Sequence, residues 1–324
     1  MPITRRHLGQ LALASAILPL PALAQAPWPN RPVRIIVPFG VGGSADLNAR
    51  LLAKALSETF GQPFVVDNRP GAGATIGTEA AVRSPADGHT LLMMSNAHTA
   101  NETLIPKRPY VLMRDLSAVA AVNVAHHVLV VHTSLGVSTL PELIARAKAK
   151  PGTIDYASSG PGTPYHIATE VFRTMAGIEM QHIPFKSSGE ARTSVIAGQV
   201  PMMFDAIPTM QPHIAGGRVR AIATTGPRRD ALMPELPTVA EAGLPGYEAS
   251  IWLGLMTPAA TPRPIIDRVH AAVNAYLGDA ATRDAMVRQG AEPMPMSVDE
   301  FDAFLRRDVE TQRAYVQMAR IAVE

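Results

Sequence analysis

Residues 33–50 read VRIIVPFGVGGSADLNAR and place a short apolar run before a glycine-rich turn and a helical pattern. VRIIV is typical of a buried strand, and the glycines of the turn, among them Gly42 and Gly43, leave backbone N–H groups uncovered. Ser44 is the expected N-cap of the following helix, and Asp46 lies in its first turn. Free N–H groups beside a helix N-terminus favour a bound carboxylate or phosphate.

The same succession of strand, small-residue loop and helix recurs along the chain and predicts an α/β fold with mainly parallel sheets flanked by helices. PFVVDN leads into RPGAGATIG at 69–77, HTLLMMS ends at SNAHT at 95–99, and TIDYA runs into SSGPGTP at 158–164. Each loop follows the carboxyl end of a strand, where open α/β sheets bind ligands. The first helix is predicted to end at Gly61 and to carry one apolar face made of Leu47, Leu51, Leu52, Ala55 and Leu56.

The first 24 residues are predicted to be an export signal. They combine Arg5 and Arg6 with a short apolar run and an Ala-Leu-Ala site, so that cleavage is expected before Gln25. The arginine pair resembles a twin-arginine signal, and both the twin-arginine (Tat) and the general (Sec) export route stay open. The run is too short and too rich in proline to span a membrane. We therefore expect a periplasmic protein.

Charge and cysteine content exclude several classes of protein. Of the 29 lysines and arginines two lie in the leader, so the remaining chain has as many basic as acidic side chains, 27 of each. This balance gives no reason to expect nucleic acid as a partner or direct insertion into a membrane. The absence of cysteine excludes disulfides, thiolate metal sites, a cysteine nucleophile and a lipid-modified cysteine.

Enzyme and cofactor motifs are missing. Gly71, Gly73 and Gly77 have the wrong spacing for a dinucleotide fingerprint, which requires a glycine where Ile76 stands, and the G-K-[ST] of a P-loop does not occur. No G-x-S-x-G elbow occurs either. We therefore expect no cofactor and no catalytic residue.

The histidines of HHVLVVH at 126–132 do not predict a metal site. On a strand His126 and His127 point to opposite faces, while His126 and His132 lie roughly 20 Å apart. No H-E-x-x-H or similar spacing occurs elsewhere, and no metal is expected.

Several polar residues allow two interpretations. An acid such as Asp46 in a first helical turn most often complements the helix dipole, but it could also face a ligand amine or an ordered water. His166 could contact a ligand or hold its own loop. Asp205 and Lys186 could face a cleft or lie in solvated loops, and Phe39 could wall a pocket or anchor its loop.

Taken together, the loops resemble those of the tripartite tricarboxylate transporter substrate-binding proteins, the Bug or TctC-like periplasmic receptors. The resemblance covers the chain after the leader and rests on these segments in order: PFGVGGSAD at 38–46, DNRPGAGATIG at 67–77, SPADGHTLL at 84–92, YASSGPGTPYH at 156–166, IPFK at 183–186, GQVPMMFD at 198–205, GRVRAIATT at 217–225 and LPTVAEAGLPGYE at 236–248. Family loops commonly have proline where this chain has Ser44 and glycine where it has Ser187. Those two departures bear on ligand identity.

The resemblance implies a two-domain periplasmic binding protein of the Venus flytrap type with two interdomain crossovers. Residues 27–123 and 250–324 would form a discontinuous first domain, and residues 124–249 the second. A ligand would bind in the cleft between them.

The family's binding loops map onto twelve positions of this sequence. They are Phe39, Gly42, Gly43, Asp46, Ser95 and His98 from one domain, and Ser158, Ser159, Gly160, Thr163, His166 and Asp205 from the other. The expected ligand is a small organic acid or a related compound, the expected partners are inner-membrane permease subunits, and the receptor is expected as a monomer. Two alternatives stay open: an exported enzyme with Asp46, His166 or Asp205 as acid or base, and a receptor that serves a signalling partner.

Overall fold

The computed structural model describes residues 28–321 of the 324-residue chain. The export signal expected at 1–24 lies outside this range, as do residues 322–324. The strands within it are β1 (Val33–Val37), β2 (Phe64–Asn68), β3 (Thr90–Ser95), β4 (Leu116–His132), β5 (Asp155–Ser158), β6 (Gln181–Pro184), β7 (Met202–Ala206), β8 (Val219–Thr224), β9 (Ser250–Pro258) and β10 (Ala291–Pro293).

The helices alternate with these strands. They are α1 (Ser44–Phe60), α2 (Thr75–Val82), α3 (Asn96–Leu104), α4 (Leu112–Asp115), α5 (Leu140–Ala149), α6 (Pro164–Ala176), α7 (Ser188–Ile196), α8 (Ile207–Ala215), α9 (Arg263–Gly278), α10 (Ala280–Arg288) and α11 (Val298–Met318), with 3₁₀ turns at Ala72–Ala74 and Thr133–Leu135. Across residues 28–321, no helix has both the length and the apolar character that a membrane span requires.

The strands form two sheet regions that share the long strand β4. The order is β2-β1-β3-β9-β4-β7-β5-β6, with β8 and β10 also paired to β4. We call the region of β1, β2, β3, β9, β10 and the start of β4 the first lobe, and the region of β5 to β8 and the end of β4 the second lobe. His126 pairs with Ser250 of β9, whereas His127 pairs with Ala206 of β7, so β4 passes between the lobes at these two residues.

The α/β class predicted from the sequence is confirmed, but the sheets are mixed where mainly parallel ones were expected. β1 pairs in parallel with β2 and β3, and β5 pairs in parallel with β6 and β7. The pairings of β4 and β9 are antiparallel, since β9 returns from the second lobe and runs opposite to both β3 and β4. A returning strand of this kind needs no helical crossover to its neighbour.

Each lobe has its own hydrophobic core, and α11 contributes to both. Phe301 and Leu305, in the N-terminal half of α11, belong to the core of the first lobe. Val316 near its end, followed by Ala319 and Ile321, packs into the core of the second lobe. The division at 123/124 and 249/250 stays a prediction, and α11 ties the lobes together beyond the strands.

The apolar face predicted for α1 is partly wrong. Leu52 and Leu56 are fully buried, but Leu47 and Leu51 remain 45% and 41% exposed. The small residues Ala45 and Ala49 take their place against the sheet, because close packing of the helix on β1 leaves no room there for longer side chains. Two leucines of α1 therefore face outward, beside the space between the lobes.

Candidate functional site

A cavity of about 400 Å³ lies between the two lobes, and we call it the first cavity. The first lobe lines it with residues from the segments 38–45 and 70–74, the second lobe with residues from 159–165 and 185–188, and Ile251 of β9 lies between them. Its walls come from loops at the carboxyl ends of β1, β2, β5 and β6. This is the edge of the sheets at which the sequence predicts ligand binding.

Four helices begin at the first cavity. The residues at or next to their starts all line it: Ser44 for α1, Ala74 for α2, Pro164 for α6 and Ser188 for α7. The first N–H groups of a helix have no acceptor within the helix, and the helix dipole places partial positive charge at that end. Two of these N-termini come from each lobe, so positive potential converges on the cavity from both sides.

The charged side chain in the wall of the first cavity adds to this positive potential. Lys186 is the one charged residue among the described residues that line the first cavity, which includes no aspartate or glutamate. A negatively charged ligand would therefore meet an ammonium group and helix N-termini without a repelling carboxylate in the wall. The sequence left the position of Lys186 open, and the loop at 70–74 was not among the predicted binding residues.

The lobes approach each other closely around the cavity. A methyl group built on Gly40 would lie 3.2 Å from Cβ of Ser187, and one built on Gly73 would lie 3.6 Å from the carbonyl oxygen of Pro161. Each pair joins the two lobes. Glycine at these positions permits the approach, since a larger side chain at Gly40 would have to displace Ser187.

Five of the twelve predicted site residues line the first cavity. They are Phe39 and Gly43 from the first lobe and Ser159, Gly160 and Thr163 from the second. Gly43 occupies the N-cap position of α1, so the prediction of Ser44 as N-cap is wrong by one residue. Gly42, next to Gly43, adopts a positive φ of 79° that turns the chain into the helix.

Asp46 holds this turn from inside the protein. It is 1% exposed; its Oδ2 accepts the N–H of Gly42 at 2.9 Å, and its Oδ1 lies 2.9 Å from the guanidinium of Arg50. Burial would raise the pKa of Asp46, but the hydrogen bonds from Arg50 and Gly42 outweigh it and lower the pKa below its ordinary value. Asp46 therefore holds the loop, a role that the sequence interpretation did not include beside the helix dipole and a ligand contact.

Ser95 and His98 form a capping box at the start of α3. Oγ of Ser95 accepts the N–H of Ala97, and Nδ1 of His98 accepts the N–H of Ser95. The segment 95–99, expected as a loop, thus belongs almost entirely to a helix. Burial lowers the pKa of His98 to about 4. The His98 ring packs edge-on against Phe39, with the ring centroids 5.8 Å apart, and so supports the wall from behind.

Ser158 and His166 hold the loop of the second lobe. Oγ of Ser158 accepts the N–H of Gly160 at 3.1 Å and lies 2.6 Å from Nε2 of His182, while Nδ1 of His166 accepts the N–H of Gly162. The two imidazoles stack with centroids 4.2 Å apart. Burial and, to a smaller extent, the neighbouring His182 together lower the pKa of His166 to about 4. No sequence pattern indicated His182, which reaches this cluster from the adjacent strand β6.

Asp205 is fully buried and lies outside the lining of the first cavity. Its Oδ2 accepts a hydrogen bond of 2.6 Å from Nε of Arg192, and its Oδ1 accepts the N–H of Ala206. Burial raises the pKa of Asp205 despite the opposing effect of Arg192. The contact of Asp205 with a ligand stays a prediction, as do the other predicted ligand contacts. Among residues 28–321, no three acids or histidines are grouped so as to hold a metal ion.

Comparisons with known proteins identify the relatives of this chain. The sequence profile of the family described as "Tripartite tricarboxylate transporter family receptor" matches residues 48–320. Protein BugT of Bordetella pertussis is 37% identical over 300 residues, which cover 92% of each chain. The resemblance inferred from the loop motifs is thereby confirmed.

Solved structures agree with this assignment. R. palustris Rpa4515 with adipate superposes with a TM-score of 0.87 at 33% identity and covers 91% of this chain and 99% of its own. MatC (Rpa3494) from Rhodopseudomonas palustris with bound malate superposes with a TM-score of 0.83 at 29% identity, over 89% of this chain and 99% of its own. Both neighbours share the two-lobed α/β architecture.

Proposed function

This chain belongs to the tripartite tricarboxylate transporter receptor family, and we propose that it is a periplasmic receptor that binds a small carboxylate in the first cavity. The observation that carries the proposal is the convergence of four helix N-termini and Lys186 on a cavity in which none of the lining residues within 28–321 is acidic. Backbone N–H groups and an ammonium group stabilise a carboxylate by charge-assisted hydrogen bonds. Adipate in Rpa4515 and malate in MatC are carboxylates of fitting size for about 400 Å³.

We propose further that the receptor closes on its ligand as two rigid domains, 27–123 with 250–324 and 124–249. The close approaches of Gly40 to Ser187 and of Gly73 to Pro161, which leave little room for a side chain on either glycine, belong to the closed form, in which N-termini from both lobes face the same space. Separation of the lobes would move α1 and α2 away from α6 and α7. The ligand then stabilises the closed form, because only that form offers all donors at once.

The same proposal includes delivery of the bound ligand to permease subunits in the inner membrane. A receptor exported by its leader and closed around a carboxylate presents a ligand-dependent surface that permease subunits can recognise. No covalent step is required, and the three candidate acid-base groups Asp46, His166 and Asp205 are all engaged in hydrogen bonds within the protein. We therefore expect the ligand to be recovered chemically unchanged.

Thermal unfolding of residues 25–324 tests the proposal. The protein is first unfolded and refolded to remove any retained ligand, and then scanned against mono- and dicarboxylates and their neutral amides. At 100 times its Kd a ligand adds about 2.7 kcal/mol to the free energy of unfolding, which raises Tm by several degrees. We expect carboxylates to raise Tm and the matched amides to leave it unchanged. Equal shifts by acids and amides, or no shift by any acid, would contradict the proposal.

A further inference from the structure

A second cavity of about 360 Å³ adjoins the first. The two share four lining residues, Ser44 and Ser188 at the starts of α1 and α7 together with Tyr165 and Ile251. Like the first cavity it lies between the lobes, but on the side toward the outer face of α1. A ligand held at the N-termini of α1 and α7 would therefore have the second cavity as its neighbour.

The second cavity has a mixed lining that includes the polar residues Asn48, His126, Thr209 and Gln289, but part of its wall is apolar to an extent that the fold does not require. Leu47 and Leu51 line it, and these are the two leucines of α1 that remain 45% and 41% exposed. Pro208 of the second lobe and Ile251 line it too. Exposed leucines lose the free energy that burial would supply, and an apolar ligand group that covered them would recover it.

The charged groups of this cavity are already neutralised. Arg50 and Arg192 both line it, but Arg50 lies 2.9 Å from a carboxylate oxygen of Asp46 and Arg192 lies 2.6 Å from one of Asp205. The carboxylates of Asp46 and Asp205 are at most 1% exposed. Each arginine is therefore paired with a buried carboxylate of the protein itself. Lys186 of the first cavity forms no salt bridge among the described residues. The first cavity thus offers net positive charge, whereas the second offers apolar surface with its charges offset.

We propose that the second cavity is a subsite for the apolar body of an amphipathic monocarboxylate whose carboxylate occupies the first cavity. This inference rests on the proposed function and adds the substrate class: straight-chain or aryl-substituted alkanoic acids. The body would pass between Ser44 and Ser188 and lie along α1. Leu51 stands seven residues beyond Ser44, or about 10 Å along the helix axis, which is the reach of an octyl chain or a phenylbutyl group.

Calorimetric titration with the even-numbered straight-chain acids from acetate to decanoate tests the subsite, with succinate as a short acid that needs only the first cavity. Each fully buried methylene tightens binding by about fourfold. We expect the Kd to fall with chain length until the chain passes Leu51, and then to level off. A Kd that is independent of chain length, with succinate still bound, overturns the subsite and leaves the proposed function intact. Failure of every acid, succinate included, overturns both.

Leu47→Trp fills the second cavity, and its side chain is exposed enough to be replaced without disturbing the core. In this variant we expect the Kd for octanoate to rise at least tenfold while that for succinate changes less than twofold. Val65→Trp is the matched control, because Val65 is 51% exposed on β2 and lines neither cavity. Leu51→Trp repeats the test one turn farther along α1 and should raise the Kd for decanoate more than the Kd for butyrate. Equal losses for octanoate in the Leu47→Trp and Val65→Trp variants would overturn the inference.

Discussion

Replacement of Gly43 by aspartate should weaken ligand binding by about two orders of magnitude without harming the fold. Gly43 is the N-cap of α1 with φ −80° and ψ 168°, a conformation open to any residue. A Cβ there would meet the carbonyl oxygen of Gly40 at 3.5 Å and Oγ of Ser188 at 3.9 Å, which are ordinary contacts. Aspartate is also a better N-cap than glycine by a few tenths of a kcal/mol. The variant should therefore unfold at the same Tm as the parent or slightly above it.

The effect on binding follows from Coulomb's law. A carboxylate at Gly43 would lie about 5 Å from a ligand carboxylate at the start of α1, and with an effective dielectric constant near 20 the repulsion is about 3 kcal/mol. This corresponds to a Kd that is roughly 100- to 200-fold higher. Thermodynamic stability and affinity thus change in opposite directions, which a merely misfolded variant cannot imitate.

Gly43→Asn provides the matched control, since asparagine has nearly the same volume and is an equally good N-cap without the charge. Titration calorimetry of both variants with succinate at pH 7 separates the effect of the added charge on the Kd from the effect of the added side-chain volume. We expect the aspartate variant to bind at least thirtyfold more weakly than the asparagine variant. Equal affinities would show that no carboxylate binds at the start of α1 and would refute the assignment of the first cavity.

Three further predictions concern the rest of the molecule. Lys186→Gln should raise the Kd for carboxylates about fivefold by calorimetry, since an exposed charge contributes about 1 kcal/mol, and should not alter weak binding of neutral amides. The depressed pKa of His98, about 4, means that the unfolded chain takes up its proton first as the pH falls below 6.5, so His98 alone should account for about 2 kcal/mol of the free energy of unfolding lost between pH 7 and 5. His127 and His166, whose pKa values burial also lowers, add losses of their own; in urea unfolding, His98→Gln, which keeps a capping side chain, should reduce the total loss by about 2 kcal/mol. Gly254→Ala should lower the free energy of urea unfolding by about 1–3 kcal/mol, because its Cβ would overlap the ring of Phe301, whereas the Cβ of Gly278→Ala meets nothing within 4 Å and this variant should unfold like the parent.

The features that sequence predicts best are those set by neighbouring residues. VRIIV followed by three closely spaced glycines and a helical pattern is enough to place β1, the turn and α1, and the αL conformation of Gly61 ends that helix as expected. The same local pattern places Thr163 and Pro164 at the start of α6. Ligand-facing loops were predicted for this reason, because each directly follows a strand whose apolar run is unambiguous.

The features that cannot be predicted from the sequence depend on contacts between distant segments. His182 touches Ser158 only because β6 lies beside β5 in the sheet, a pairing that no local pattern specifies. The exposure of Leu47 arises because small residues of α1 pack against β1, so periodicity alone assigns it to the wrong face. Lys186 lines a cavity that residues of both lobes enclose, an arrangement that its own sequence context, which fits a solvated loop equally well, does not specify.

The internal hydrogen bonds of the loops change how the glycine-rich segments are best understood. Sequence reasoning treats every glycine N–H as a free donor, yet the N–H of Gly42 is bound by Asp46 and that of Gly160 by Ser158. These side chains fix the loops before a ligand arrives, so binding need not supply the conformational entropy of ordering them. In the proposed mechanism the free energy of binding is then available for bringing the lobes together. On this argument Asp46 and Ser158, which the resemblance marks as ligand contacts, act by positioning the N-termini of α1 and α6, where we propose that the carboxylate binds.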